Sequence, residues 1–399
     1  MKGFSLAVFL LFVLTADGLL NERVWRGRRR RLTADRLREQ NAKIHRSYMR
    51  LFPEEPLEIE LKIGTPNDPS QDAPTFYLAV ETGENQMWTL SPNYQALYDE
   101  RQTYDPSKSR TSVSRGENAF YGRSGDFGLT GDLYSDIINV NDIVFNQTFG
   151  QVYTTDSREV PWNDPYFTMD GVIGLGWNPL TVPATANEDS EPIHNLLANF
   201  PLIDKDSRYY VLWIDDGRNI GDDYPDYSYD WEITFGSLDN CKNNFTLLPL
   251  NSYTYTSQAD FFLDTFIFGN AYRYDLNGQP VQLDTGMAVI AMPYDVFQTI
   301  IMAFDWLYQW DWGVFSVDCS TAGDYADWTF TLGGQNFSIP ASTYIMDIGL
   351  TDGQCVIAGQ STDDDYETEW VLGNPFAVHR CIKFDVGNGQ IGFEHDRSV

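Results

Sequence analysis

Val281-Gln282-Leu283-Asp284-Thr285-Gly286 has a counterpart about two hundred residues earlier, Leu78-Ala79-Val80-Glu81-Thr82-Gly83. Each is an apolar run that ends in an acid, a threonine and a glycine, and each leads into a second apolar stretch, Val289 to Pro293 in the later copy and Met87 to Leu90 in the earlier one. A Val-Ile-Gly element at 172–174 and a Val-Leu-Gly element at 371–373 follow the two triplets at nearly equal distances of about ninety residues. Ahead of the first copy, Leu57, Ile59, Leu61 and Ile63 alternate with polar residues and meet Gly64-Thr65-Pro66, the pattern of a half-buried strand closed by a turn. A second strand is expected over Thr75 to Val80. The same ordered features in both halves predict two duplicated lobes facing each other across a pseudo-two-fold axis, with the carboxylate loops meeting at the junction.

The length of 399 residues exceeds a usual single core and suits two lobes. Aromatics at 15%, with 31 glycines and 19 prolines, favour strands joined by turns over a helical bundle. With 57 acidic against 27 basic residues, the net charge of −30 argues against nucleic acid as a partner, because phosphates require a basic face.

The N-terminus is different in character. Met1-Lys2 precedes an apolar run from Phe4 to Leu14 and then the mostly small residues Thr15 to Gly18, so 1–18 reads as a signal peptide, too short for a membrane span. Residues 19–50 carry Arg23, Arg26, Arg28 to Arg31, Arg36, Arg38, Lys43, Arg46 and Arg50. Behind a signal sequence a nuclear or nucleic-acid role loses weight, and the reading adopted is a basic pro-segment that docks on the acidic body and loosens in acid. A trimmed, inert tail is the plainer alternative, and Arg28 to Arg31 also suits a dibasic processing site. No second apolar stretch approaches twenty residues, which predicts a product that is extracellular or in the lysosomal lumen.

Four cysteines in an oxidising compartment imply two disulfides, for which sequence alone permits three pairings. The expected pairs are Cys319 with Cys355, bracketing a strand-turn-strand run around Gly333-Gly334, and Cys241 with Cys381, tying the start of the second lobe to its end. No Cys-x-x-Cys spacing and only four histidines leave metal and thiol-redox chemistry without support, and no cofactor is expected. Sequons at Asn146, Asn244 and Asn336 fit passage through the secretory route. The acidic runs at Asp215-Asp216, Asp222-Asp223 and Asp363 to Asp365 lack calcium-loop spacing and read as solvated turns.

Ile63-Gly64-Thr65-Pro66, the two triplets, Met169-Asp170-Gly171-Val172-Ile173-Gly174-Leu175-Gly176-Trp177, Ile233-Thr234-Phe235-Gly236 and Trp370-Val371-Leu372-Gly373 together resemble the pepsin-like aspartic peptidase family, from about Leu57 to Phe393. The resemblance implies a mostly β, bilobed fold with a cleft between an N-terminal lobe at 51–230 and a C-terminal lobe at 231–399. It also implies a catalytic pair at Glu81 and Asp284 and a peptide or protein ligand in the cleft. Tyr121-Gly122 resembles the flap that closes over bound peptide, Trp88 the aromatic that bonds the flap tyrosine, and Gly83 and Gly286 line the same site. Without the aligned neighbours, Tyr121 reads as a hairpin tyrosine and Trp88 as a core aromatic.

Such a family needs two acids because two close carboxylates share a proton: one then deprotonates a bound water while the other protonates the substrate carbonyl. Glu81 stands where the family pattern has its first aspartate, and its extra methylene shifts the carboxylate by about one C–C bond. The family follows each triplet with a hydroxyl residue that fixes the acid; here Glu84 and Met287 stand there, and Asn374 replaces an aspartate of many relatives. Three readings result. The first is a peptidase homologue of impaired or absent activity that keeps a peptide-binding cleft. The second is an active acid endopeptidase with a Glu81/Asp284 dyad, and the third is a secreted glycoprotein used as a non-enzymatic interaction protein.

Overall fold

The computed structural model describes residues 24–30, 57–93, 101–124, 127–141, 143–155, 169–178, 186–199, 208–215, 228–238, 241–251, 260–269, 272–287, 289–304, 306–309, 314–347, 350–362 and 370–395. The expected signal peptide and most of the expected pro-segment lie outside these residues, as do Asp216, Asp222-Asp223 and Asp363 to Asp365.

Strand β1 (Val24–Arg30) opens the described chain. Strand β2 (Leu57–Ile63) follows, with Leu57, Ile59, Leu61 and Ile63 all buried, as the alternation requires. With β3 (Thr75–Glu81), β4 (Met87–Leu90), β5 (Val113–Ser124), β6 (Phe127–Val140), β7 (Ile143–Thr155) and β8 (Gly171–Gly174), it builds a seven-stranded sheet in the order β2-β3-β8-β4-β7-β6-β5. Further pairing of β2 with β6 brings the far strands of this sheet together. Helix α1 (Pro192–Asn199) packs beside β7 and β8.

β9 (Tyr210–Asp215), β10 (Ser228–Phe235) and β11 (Phe245–Pro249) begin a six-stranded sheet. β12 (Phe261–Phe268), β13 (Tyr272–Leu283) and β14 (Ile290–Met292) enter the second seven-stranded sheet, and helix α2 (Tyr294–Ile301) buries Val296, Phe297, Ile300 and Ile301 beneath it. β15 (Leu307–Gln309), β16 (Val314–Asp318), β19 (Ile345–Met346) and β20 (Gln354–Ile357) form a four-stranded sheet, whereas β17 (Trp328–Leu332), β18 (Gln335–Ile339), β21 (Gly359–Ser361) and β22 (Trp370–Leu372) complete the larger one in the order β18-β17-β12-β13-β22-β14-β21. Strands β23 (Cys381–Asp385) and β24 (Gln390–Glu394) return to the six-stranded sheet, ordered β1-β10-β9-β23-β24-β11. That sheet joins the chain's beginning, middle and end. Its core face carries Tyr210 and Phe384, stacked at 4.5 Å, and Trp177, just past β8, packs edge-on against both.

The two large sheets share one local topology. β8 pairs parallel with β3 and antiparallel with β4; β22 pairs parallel with β13 and antiparallel with β14. The fold is thus mostly β, in two related halves. The disulfides are Cys241–Cys381 and Cys319–Cys355, and Gly333-Gly334 turns β17 into β18 with φ of 56° and 76°. Among the described residues no helix is long and apolar enough to cross a membrane.

Candidate active site

Each acid-Thr-Gly triplet sits where a strand ends against the inserted Gly-terminated element. Glu81 is the last residue of β3 and pairs opposite Gly174; Asp284 follows β13 directly, and its N–H donates to the carbonyl of Leu372 at 3.0 Å. The glycine of each element is sterically required. A Cβ on Gly174 would lie 2.4 Å from the Glu84 carbonyl oxygen, and one on Gly373 would lie 2.1 Å from that of Val289 and 2.3 Å from that of Met287. Glycine alone admits such backbone contact.

The triplets meet through their threonines. The hydroxyls of Thr82 and Thr285 lie 3.3 Å apart; the Thr285 N–H donates to Thr82 Oγ1 at 3.3 Å and the Thr82 N–H to Thr285 Oγ1 at 3.4 Å. Both residues are buried, so these reciprocal bonds couple two chain segments 203 residues apart without solvent competition.

The two acids converge on Gly286. Its N–H donates to Asp284 Oδ1 at 2.7 Å, and a Cβ at that position would lie 3.0 Å from Asp284 Oδ1 and 3.7 Å from the carboxyl carbon of Glu81. Both acids are partly exposed, while Gly83 and Thr82 beneath them are buried. The first loop is held by the Leu175 N–H on the Glu81 carbonyl at 2.8 Å and the Gly176 N–H on that of Glu84 at 2.7 Å. Glu84 adds a second carboxylate to this loop. In the second loop the Met287 N–H donates to the Asp284 carbonyl at 3.2 Å, and its side chain packs on the hydrophobic core.

Tyr121 and Gly122 belong to the β5–β6 hairpin, opposite Thr130 and Leu129. Tyr121 is 70% exposed and Trp88 is 1% exposed. On the same hairpin Phe120 is buried, in one apolar cluster with Trp88, Leu129 and Val152. Gly122 lies by the first triplet loop, since a Cβ there would sit 3.2 Å from Gln86 Oε1. Below the same region Asp170 is buried and accepts the N–H groups of Tyr77 at 2.8 Å and Gln102 at 2.7 Å; burial, the largest effect, raises its pKa. Asn374 is buried, and its N–H donates to the Met287 carbonyl at 2.8 Å.

Three features of this site go beyond the residues picked out from sequence: the Thr82–Thr285 pair, the buried Phe120, and a contact from Glu191 to Asn85 at 3.2 Å. Threonine recurring at the centre of both triplets is a signal for the first. Alternation along the hairpin is a signal for the second, and no sequence signal exists for the third.

The chain matches the eukaryotic aspartyl protease family over residues 58–395 and belongs to that family. Among its relatives, Aspartic protease 1 of Caenorhabditis elegans is 29% identical over 345 residues, 84% of this chain and 80% of the relative. Pepsin A of Gallus gallus is 26% identical over 345 residues, 83% and 82% of the two chains. Vacuolar protease A of Neurospora crassa is 25% identical over 338 residues, 84% and 76% of the two.

Proposed function

We propose that this pepsin-like aspartic peptidase homologue is a secreted or lysosomal protein that binds peptides in the cleft between its lobes and hydrolyses them slowly or not at all. The observation that carries this is the company the two acids keep: Glu81 and Asp284 meet around Gly286, but Glu84 and Met287 follow the triplets where the family has hydroxyls. In a working dyad one carboxylate takes a proton from water while the other gives one to the carbonyl, and displacement of about 1 Å costs on the order of a hundredfold in rate. Glutamate lengthens one arm of the dyad. An acid at position 84 raises the cost of ionising it, and the Met287 thioether cannot donate a hydrogen bond to the Asp284 carboxylate.

The retained flap hairpin and the glycines at the loop floor support a cleft that still accepts an extended peptide. The exposed positions of Asn146, Asn244 and Asn336 support glycosylation in the secretory route, and relatives named as pepsin and as vacuolar protease support a lumenal or extracellular destination. The basic segment is read as a pro-segment: β1 pairs with β10, setting Arg26 opposite Glu232 and Arg28 opposite Asp230. A net basic segment on a net acidic body favours docking at neutral pH.

The test pairs a cleavage assay on unfolded protein substrates with binding of a peptide carrying a hydroxyl group in place of the scissile bond. Binding without cleavage is the expected result. Brisk cleavage lost on Glu81→Gln establishes the active-endopeptidase alternative, and neither binding nor cleavage establishes the non-enzymatic interaction protein.

A further inference from the structure

The first triplet loop has a side-chain brace at a position where the second loop has alanine. Glu191 Oε1 accepts the Asn85 side-chain amide at 3.2 Å and the backbone N–H of Asn178 at 3.0 Å, while its Oε2 lies 2.9 Å from His194 Nε2. The carboxylate is largely buried, with 17% of its side chain exposed and 6% of that of His194. Its backbone carbonyl also takes the N–H of His194 at 3.0 Å, in the first turn of α1. One acid thus ties three pieces of chain together: the Glu81-to-Asn85 loop, the Trp177-Asn178 exit of the inserted element, and helix α1. In the second half, the position four residues past Asp284 is Ala288, which has no polar side chain.

We propose that Glu191 is a positioning residue for the loop that carries Glu81, fixing from outside a frame that the family fixes with a hydroxyl next to the acid. It acts through Asn85 and Asn178. The asymmetry has a physical logic. A glutamate has one more rotatable bond than an aspartate, so its loop needs the stiffer support if the carboxylate is to stay beside Asp284. A carboxyl oxygen has two lone pairs and can accept both donors at once, which suits Glu191 to that task. The inference rests on the reading of the cleft as a peptide site built on Glu81 and Asp284.

Amide hydrogen exchange reads the brace without any ligand. In Asn85→Ala and Glu191→Ala, amides in 82–86 and 174–178 are expected to exchange about tenfold faster, with β12 and β13 unchanged. Glu191→Gln keeps an oxygen for both donors and is expected to restore protection. Glu188→Gln, which breaks only the exposed pair with Arg115, is expected to change nothing in these segments. The hydroxyl-bearing peptide is expected to bind the Asn85→Ala variant about tenfold more weakly than the parent. If the parent protein fails to bind that peptide, the cleft reading falls while the exchange experiment still decides the brace. Unchanged exchange in 82–86 on Asn85→Ala, or a rise spread evenly over the chain, overturns the proposal.

Discussion

Thr82 and Thr285 each accept the other's backbone N–H on a buried hydroxyl, at 3.3 and 3.4 Å, so each lobe supplies half of one polar joint. Thr→Val keeps the shape and leaves a buried N–H without its acceptor, which costs about 1–3 kcal/mol. Either single change is expected to lower unfolding stability by that amount. The double change is expected to cost less than the two added, because they break one joint. Denaturant titration of the three variants checks this.

Activity is expected to respond to the dyad's surroundings as a unit. Glu81→Asp alone should recover part of the peptidase activity, because positions 84 and 287 still carry an acid and a thioether where the family has hydroxyls. Glu81→Asp with Glu84→Ser and Met287→Thr should recover more than the separate gains combined, since groups serving one catalytic unit are strongly non-additive. Asp284→Ala in the triple variant should abolish the gain. Steady-state rates on an unfolded protein substrate decide the matter.

Asp170 predicts a component of acid stability. Burial raises its pKa in the fold above that of the unfolded chain. The folded state therefore binds the proton more tightly, and this contribution is full below the unfolded pKa and lost as pH rises through the folded one. Stability measured across that window should fall with pH by more in the parent protein than in Asp170→Asn. Equal slopes would show that the carboxyl does not titrate there.

The disulfides should differ in worth. Cys241–Cys381 closes a separation of 140 residues and Cys319–Cys355 one of 36, for which loop-closure entropy gives about 5 and about 4 kcal/mol respectively. Replacing the first pair by alanine should lower the melting temperature more than replacing the second.

The basic segment should behave as an electrostatic ligand. A peptide spanning residues 23–50 is expected to bind the trimmed protein at pH 7 and to let go at pH 4 or in high salt. Acid lowers the negative charge of the body, and salt screens what remains. Equal binding under all three conditions in titration calorimetry would exclude this account.

The duplicated architecture was legible because it is written twice. Each acid-Thr-Gly turn follows an apolar strand, and each apolar-apolar-Gly element returns at a similar distance, so β3 with β8 and β13 with β22 are visible as repeats. Alternation alone marked β2. By contrast, Val24–Arg30 has no alternating pattern and is a strand because β10 offers it seven backbone partners, a tertiary cause that no local reading contains. Glu191 was illegible for a related reason, since it meets Asn85 across 106 residues and its neighbours read only as the start of a short helix. On the hairpin, the resemblance drew attention to Tyr121, whereas burial falls on its neighbour Phe120, because adjacent strand residues face opposite sides.

The insertion of β8 between β3 and β4 also sets an order of events during synthesis. Strands β3 and β4 emerge from the ribosome with a gap between them that only residues 171–174 can fill, so the first lobe closes its sheet after most of its length has been made. The Thr82 hydroxyl then waits for a partner 203 residues downstream. At about 5–20 residues per second, that interval is tens of seconds, during which a half-finished lobe exposes apolar edge strands. Chaperone demand should therefore peak before Thr285 is translated.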